Sequence, residues 1–308
     1  MKIISSFILL TLISVSAFAQ KKADLTYHLE LNKVYRVKSV TVQNTTQTVM
    51  GNEQSVQTNN TSVVSLKPLK QLDGEMMVQV SFDTMHTIIS QPPMDINSAL
   101  PGDLNSSDPA KVMGCIMNRM ANSTFLVKMT NTGRVVQIMN LEPTAAGILQ
   151  GIDSIQGQAA PFLRERAHMM LEEKALTSMI ESVTAYLPGI EVKTGEKWEI
   201  NLRISGGGMV MSQNVNYTLE SLDKKTATIS GETIVESEPI AMEMNGAQIT
   251  PDIRGLGKTE YIIDTETGWL IQGTVKQQLK GEMAVNAQGN NMSVPIEINS
   301  TSELVALP

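Results

Sequence analysis

The chain has 308 residues, of which 42% are hydrophobic, 18% charged and 4% aromatic, and its formal net charge is −7. That length suffices for a sizeable core, and that apolar fraction excludes a wholly disordered chain. The acidic balance argues against a phosphate-backbone footprint, while 3 histidines and 1 cysteine leave little for a multi-ligand metal site or a disulfide framework.

Lys2 and the apolar run Ile3 to Ala19, closing on Ala17-Phe18-Ala19, have the layout of a cleaved export signal. Residues 1–19 are therefore read as a signal peptide and Gln20 as the first mature residue. A lipid anchor would need cysteine at that boundary. No later stretch is long and apolar enough to span a bilayer as a helix. The expected location is exported, either periplasmic or secreted. Cys115, beside Met113, Ile116 and Met117, reads as a buried, inert thiol.

Residues 20–142 read as an N-terminal β half. The strand around Tyr35 shifts its apolar phase between Val37 and Val40, which predicts a bulge near Ser39. In Met76 to Asp83 the even positions are apolar, the period of a half-buried antiparallel strand. Residues 92–120 form a helical insertion, in which Asp108 caps a helix with Pro109 in its first turn and Met113, Met117 and Met120 on one face. A helical connector, 143–188, starts with a short helix around Thr144 to Ile155 that Gly147 and Gly151 weaken. One long amphipathic helix then runs from Pro161 to Leu187, carrying Phe162, Met169, Leu176 and Val183 at every seventh position. Residues 189–308 form a C-terminal β half, where Val215, Tyr217 and Leu219 alternate, as do Ile296 and Ile298.

The halves echo each other. Thr130-Asn131-Thr132-Gly133-Arg134-Val135-Val136-Gln137 matches Thr265-Glu266-Thr267-Gly268-Trp269-Leu270-Ile271-Gln272 at four of eight positions. Glycine after a polar triplet suits a hairpin turn with positive φ. The strand at Tyr35 resembles the one at Trp198. The fold class is thus mainly β (α+β), two duplicated antiparallel β-sheet halves joined by the helical segment.

The Ala17-x-Ala19-Gln20 boundary, the Leu31-x-x-Val34-Tyr35-Arg36-Val37 strand and the Asp108-Pro109 helix together resemble a family of secreted, β-rich proteins of Bacteroidota, a domain of unknown function. Gly195-Glu196-Lys197-Trp198 and Thr267-Gly268-Trp269-Leu270 are similar to that family too. The resemblance implies location and fold, and it carries no catalytic residues. A looser likeness is to periplasmic lipoprotein and lipid carriers, whose curved sheet and helices enclose an apolar cavity; it is a likeness of fold alone.

Candidate chemistry is sparse. Gly257-Lys258-Thr259 lacks both the upstream glycine and the following helix of a phosphate loop. Glu165, His168 and Glu172 share a helical face, but a di-iron bundle needs a second Glu-x-x-His and two further helices. No Gly-x-Ser-x-Gly elbow or His-Glu-x-x-His pair occurs, so no cofactor, metal or reaction is assigned. The 20 methionines are the compositional oddity, since flexible thioethers suit walls that adapt to apolar ligands. Phe162, Met169, Leu176, Val183, Met209 and Met211 are the candidate ligand wall. The expected function is a non-enzymatic envelope protein binding a lipid or acyl chain between its halves. The alternative is a structural or interaction module docking an envelope protein, and a third, less favoured reading is an enzyme of unknown reaction. Nucleic acid is not an expected partner.

Overall fold

The computed structural model describes residues 22–49, 51–206, 209–244, 247–287 and 290–308. The expected signal peptide and its Gln20 boundary lie outside these described residues.

The chain is mainly β. The first half supplies β1 (Lys22–Asp24), β2 (Tyr35–Val49), β3 (Asn52–Gln71), β4 (Glu75–Ser90), β5 (Pro93–Asn97), β6 (Phe125–Thr130) and β7 (Val135–Ile138). Helix α1 (Pro109–Ala121) lies between β5 and β6, and α2 (Leu141–Ile148), α3 (Ala160–Met170) and α4 (Glu173–Thr184) follow β7. The second half begins with β8 (Glu191–Lys193), β9 (Lys197–Gly206), β10 (Met209–Leu222) and β11 (Thr226–Ser237). It ends with β12 (Met242–Met244), β13 (Ala247–Asp264), β14 (Leu270–Ala287) and β15 (Asn290–Leu307).

Strands β1 and β8 pair with each other. The rest form one antiparallel sheet in the order β7-β6-β4-β3-β2-β15-β14-β13-β11-β10-β9, with β5 on β4 and β12 on β13. Two separate sheets were the expectation. They are one because β15 pairs with β2, from Arg36↔Leu307 to Gln47↔Ile296. That pairing satisfies two rows of backbone groups that two separate sheets would leave as edges. Along the sheet, β2-β3-β4-β6-β7 and β9-β10-β11-β13-β14 are meanders of the same order, with Gly133 and Gly268 each in the turn before the fifth strand. A shared ancestry for the two meanders stays a proposal. Open twisted sheets rarely pass about ten strands without curling. This one curls until both its edges, β7 and β9, meet α4.

Helix α1 forms where its cap predicts: the Asp108 carboxylate accepts from Ala110 N–H at 2.9 Å, and Pro109 opens the helix. Met113, Cys115 and Met120 are buried on it, and it packs on β4 and β5. Gly151, at φ 79°, ends the short connector helix and starts a single 3-10 turn, Ile152–Ser154.

The long 161–187 helix is instead two helices. Glu172 is extended (φ −64°, ψ 143°) and separates α3 from α4. The seven-residue repeat matches the buried face of α4, at Leu176 and Val183, but not that of α3, and the apolar spacing alone does not register one extended residue between them. The break lets Leu171 bury and turns α3 toward α1, so that α3 buries Ala160, Leu163 and Ala167 rather than Phe162.

All 5 tyrosines and both tryptophans lie in one string. It runs Tyr35, Trp269, Tyr27, Tyr186, Tyr261, Tyr217, Trp198, with successive ring centroids 5.4, 6.0, 6.0, 5.2, 6.3 and 5.7 Å apart. Tyr27 OH donates to the Thr184 carbonyl at 2.9 Å, Tyr186 OH to that of Gly268 at 3.0 Å, and Trp198 Nε1–H to that of Tyr186 at 3.1 Å. The segment carrying Tyr27 lies between the two turn tips, with Tyr27 N–H on Asn131 O and His28 N–H on Thr267 O.

Both turns need glycine twice over. Gly133 has φ 88°, and a Cβ there would lie 2.1 Å from Thr184 O; Gly268 has φ 72°, and a Cβ there would lie 2.4 Å from Thr26 O. Gly195 also has positive φ but open space around it. Gly195→Ala should therefore cost only the left-handed strain, about 1 kcal/mol. Gly133→Ala or Gly268→Ala adds a backbone collision and should cost about 3 kcal/mol or more, read from denaturant unfolding.

Candidate functional site

The phase shift of β2 is not a bulge. Its register runs unbroken from Tyr35 to Val49 against β3 and from Arg36 to Gln47 against β15. Val37, Ser39 and Thr41 all face inward; the shift arises because the inner surface itself turns polar beyond Val37, while Val40 and Val42 face outward. The inner rows of the curled sheet thus pass from the aromatic string to a belt of hydroxyls and amides.

Between this belt and α4 lies a trough of about 230 Å³. Val183, Ala185 and Tyr186 roof it. Leu202, Ile204, Val215, Tyr217 and Tyr261 supply apolar floor and wall, and Gln213, Thr233, Thr259 and Gln277 supply uncharged polar groups. Burial holds the Tyr27, Tyr186 and Tyr217 hydroxyls well above the usual phenol range and pushes Tyr261 up to about 12, so the tyrosines stay neutral.

Helix α4 holds the roof in place by satisfying both sheet edges. Ser178 Oγ accepts from Ser205 N–H at 2.9 Å and lies 3.0 Å from the Arg203 carbonyl oxygen, both on β9. Glu181 Oε1 accepts from Val135 N–H of β7 at 2.8 Å and lies 3.3 Å from Arg134 Nε. Arg134 Nη1 also donates to Asn201 O of β9 at 2.8 Å. A helix and one arginine therefore stand where a closing strand would be.

Of the expected wall residues, Val183 lines the trough. Leu176 is fully buried in the main core, while Phe162 is 43% exposed and Met169 half-buried on α3, and none of these three is on the trough wall. Met209 and Met211 pack on a second apolar cluster of Val235, Ile253, Leu279, Ile296 and Ile298. That cluster adjoins the trough, since Met211 is the register partner of Ile204. The tyrosines, Ser178, Glu181, Thr233 and Thr259 were missed. A signal for two of them existed: Ser178 and Glu181 interrupt the apolar face made by Leu176, Ile180 and Val183, and a polar group on such a face needs a partner.

The other motifs fall elsewhere. Gly257-Lys258-Thr259 is mid-strand in β13, and the break at Glu172 separates it from the helix of Glu165 and His168. Among the described residues, no group of three or more His, Cys, Asp or Glu is placed to hold a metal, and no helix is long and apolar enough to cross a membrane. On the outer face of the sheet, Val42, Ile234 and Leu256 line a groove of about 760 Å³ and are 38%, 51% and 67% exposed.

Burial, partly offset by Val135 N–H and Arg134, raises the Glu181 carboxyl above the usual carboxylate range. The folded state then holds its proton more tightly than the unfolded chain. This contribution is full below the unfolded value and is lost as pH rises through the folded one. Glu181→Gln keeps an acceptor for Val135 N–H, and it should flatten the fall in thermal midpoint that the parent shows as pH climbs out of the carboxylate range.

No curated protein matches the chain. A solved structure described as lipid-protein interactions in lipovitellin is similar over 91% of this chain and 25% of its own, at 9% identity and a TM-score of 0.46. The chain thus spans about a quarter of lipovitellin's length. An outer membrane channel from Pseudomonas putida F1 is similar over 92% of this chain and 98% of its own, at 7% identity and a TM-score of 0.22. A family model matches residues 73–270, from within the β3–β4 turn to the start of β14, and the chain belongs to that family, DUF6263, a family of unknown function.

Proposed function

We propose that this chain is an exported, non-enzymatic binding protein that holds an apolar or amphiphilic small molecule, such as a lipid or acyl chain, in the trough beneath α4. The observation that carries the reading is the trough itself: a cavity walled by three tyrosines and by aliphatic side chains, roofed by a helix. Small-molecule sites join apolar walls to placed polar groups, and here aliphatic and tyrosine side chains face a belt of threonine, serine and glutamine. The ionisable side chains on the wall have structural duties, Glu181 at the sheet edge and the tyrosines in the aromatic string, which favours binding over catalysis. Export rests on the signal pattern of residues 1–19. A second reading, a docking surface for an envelope protein, draws on the exposed Ile234 and Leu256 of the outer groove.

One experiment separates the two. Val275 lines the trough and is only half-buried at the margin of the main core, so Val275→Trp should fill the cavity. The parent is expected to bind the neutral dye Nile red, and Val275→Trp to lose that binding at an unchanged thermal midpoint. Binding that survives Val275→Trp but is abolished by Leu256→Asp would move the site to the outer face. A parent that binds no dye would remove the trough reading.

A further inference from the structure

We infer that the trough selects an uncharged amphiphile whose hydroxyl group bonds to Thr233 and Thr259, an inference that rests on the binding reading above and narrows it. Thr233 and Thr259 are only 3% and 7% exposed, and both line the trough. Among the described residues, neither side-chain hydroxyl has a hydrogen-bond partner. Both side chains belong to otherwise buried residues that line the trough, so whatever pairs with their hydroxyls has to enter it.

Their placement fits a single small group. Thr233 on β11 is in register with Gly257 on β13, and Thr259 on β13 with Gly231 on β11, so the two threonines are diagonal neighbours. Each faces a glycine across the ladder. A Cβ at Gly257 would come 3.2 Å from Thr233 Cβ, and one at Gly231 would come 2.9 Å from the Tyr217 ring. Gly231 thus makes room for the Tyr217 ring beside Thr259, and Gly257 sets no cross-strand side chain against Thr233.

The chemistry of the wall selects against charge. A ligand hydroxyl can donate to one threonine and accept from the other. A carboxylate or phosphate can only accept, and it would have to shed its hydration with no cation to replace it, since among the described residues no lysine or arginine lines the trough. The one wall residue able to carry a full charge near neutral pH is Glu181, an acid, which adds repulsion. An ammonium group fares no better, because Glu181 Oε1 is already engaged by Val135 N–H and Arg134.

The test is competition against Nile red by 1-decanol and by decanoate, two chains of equal length that differ in the head group, at about pH 8, where the acid is ionised. The parent should release the dye at a 1-decanol concentration about tenfold or more below that of decanoate. The double variant Thr233→Val with Thr259→Val preserves shape, and it should bind 1-decanol more weakly and so narrow that preference, while keeping dye binding and its thermal midpoint. Equal competition by the two ligands, or a preference unchanged in the double variant, would overturn the inference and leave the binding reading standing. Failure of the parent to bind Nile red would overturn both.

Discussion

The string of aromatic rings from Tyr35 to Trp198 is the constraint on which the rest of the fold depends. Aromatic side chains bury about 150–250 Å² each, and edge-to-face or tilted pairs add to what that burial contributes. This chain is poor in them, yet it places every tyrosine and tryptophan at one end of the sheet. The string touches seven pieces of backbone: the N-terminal segment at Tyr27, the start of β2, the end of the connector at Tyr186, the turn at Gly268 and the strands β9, β10 and β13. Tyr27, Tyr186 and Trp198 place their polar atoms on carbonyls of these pieces, which offsets the cost of burying them, whereas Trp269 Nε1 is buried without a partner. Side chains at Gly133 and Gly268 would push the turns off that junction.

Fixing one end of the sheet fixes its curl, and the curl creates an edge problem. Strands β7 and β9 approach each other without pairing, and bare edges are templates for association. Helix α4 covers both. Ser178 and Glu181 offer β9 and β7 the partners that another strand would have supplied, and Arg134 spans to Asn201. A helix is wider than a strand, so it cannot sit flush on the sheet's inner surface. The trough is the space left beneath it, and its polar belt lies where the inner rows no longer contact the aromatic string.

Much of this was legible in the residues. The period-two strands, the Asp108-Pro109 helix start and the paired Thr-x-Thr-Gly turns are local signals, and local chemistry decides them. The helix break at Glu172 was not legible, because neither glycine nor proline marks it and the burial of Leu171 that favours it is tertiary. The apparent bulge at Ser39 misled for a related reason. An apolar pattern that changes phase reads as a backbone shift when the buried face is assumed to be apolar throughout, and here that face carries Ser39, Thr41, Thr233 and Thr259. Phe162 and Met169 lie away from the trough because the helix that was to carry them breaks at Glu172, whereas Val183 lies beyond the break and lines the trough.

Helix α4 seals the seam between β7 and β9, and the trough exists because of that seal. Val135 N–H and Ser205 N–H are edge amides whose partners are the side chains of Glu181 and Ser178, so native-state hydrogen exchange at these two amides reads the seal. Both should exchange slowly in the parent, with protection at Ser205 lost in Ser178→Ala and at Val135 in Glu181→Ala. Rapid exchange at both amides in the parent protein would mean that α4 does not close the seam.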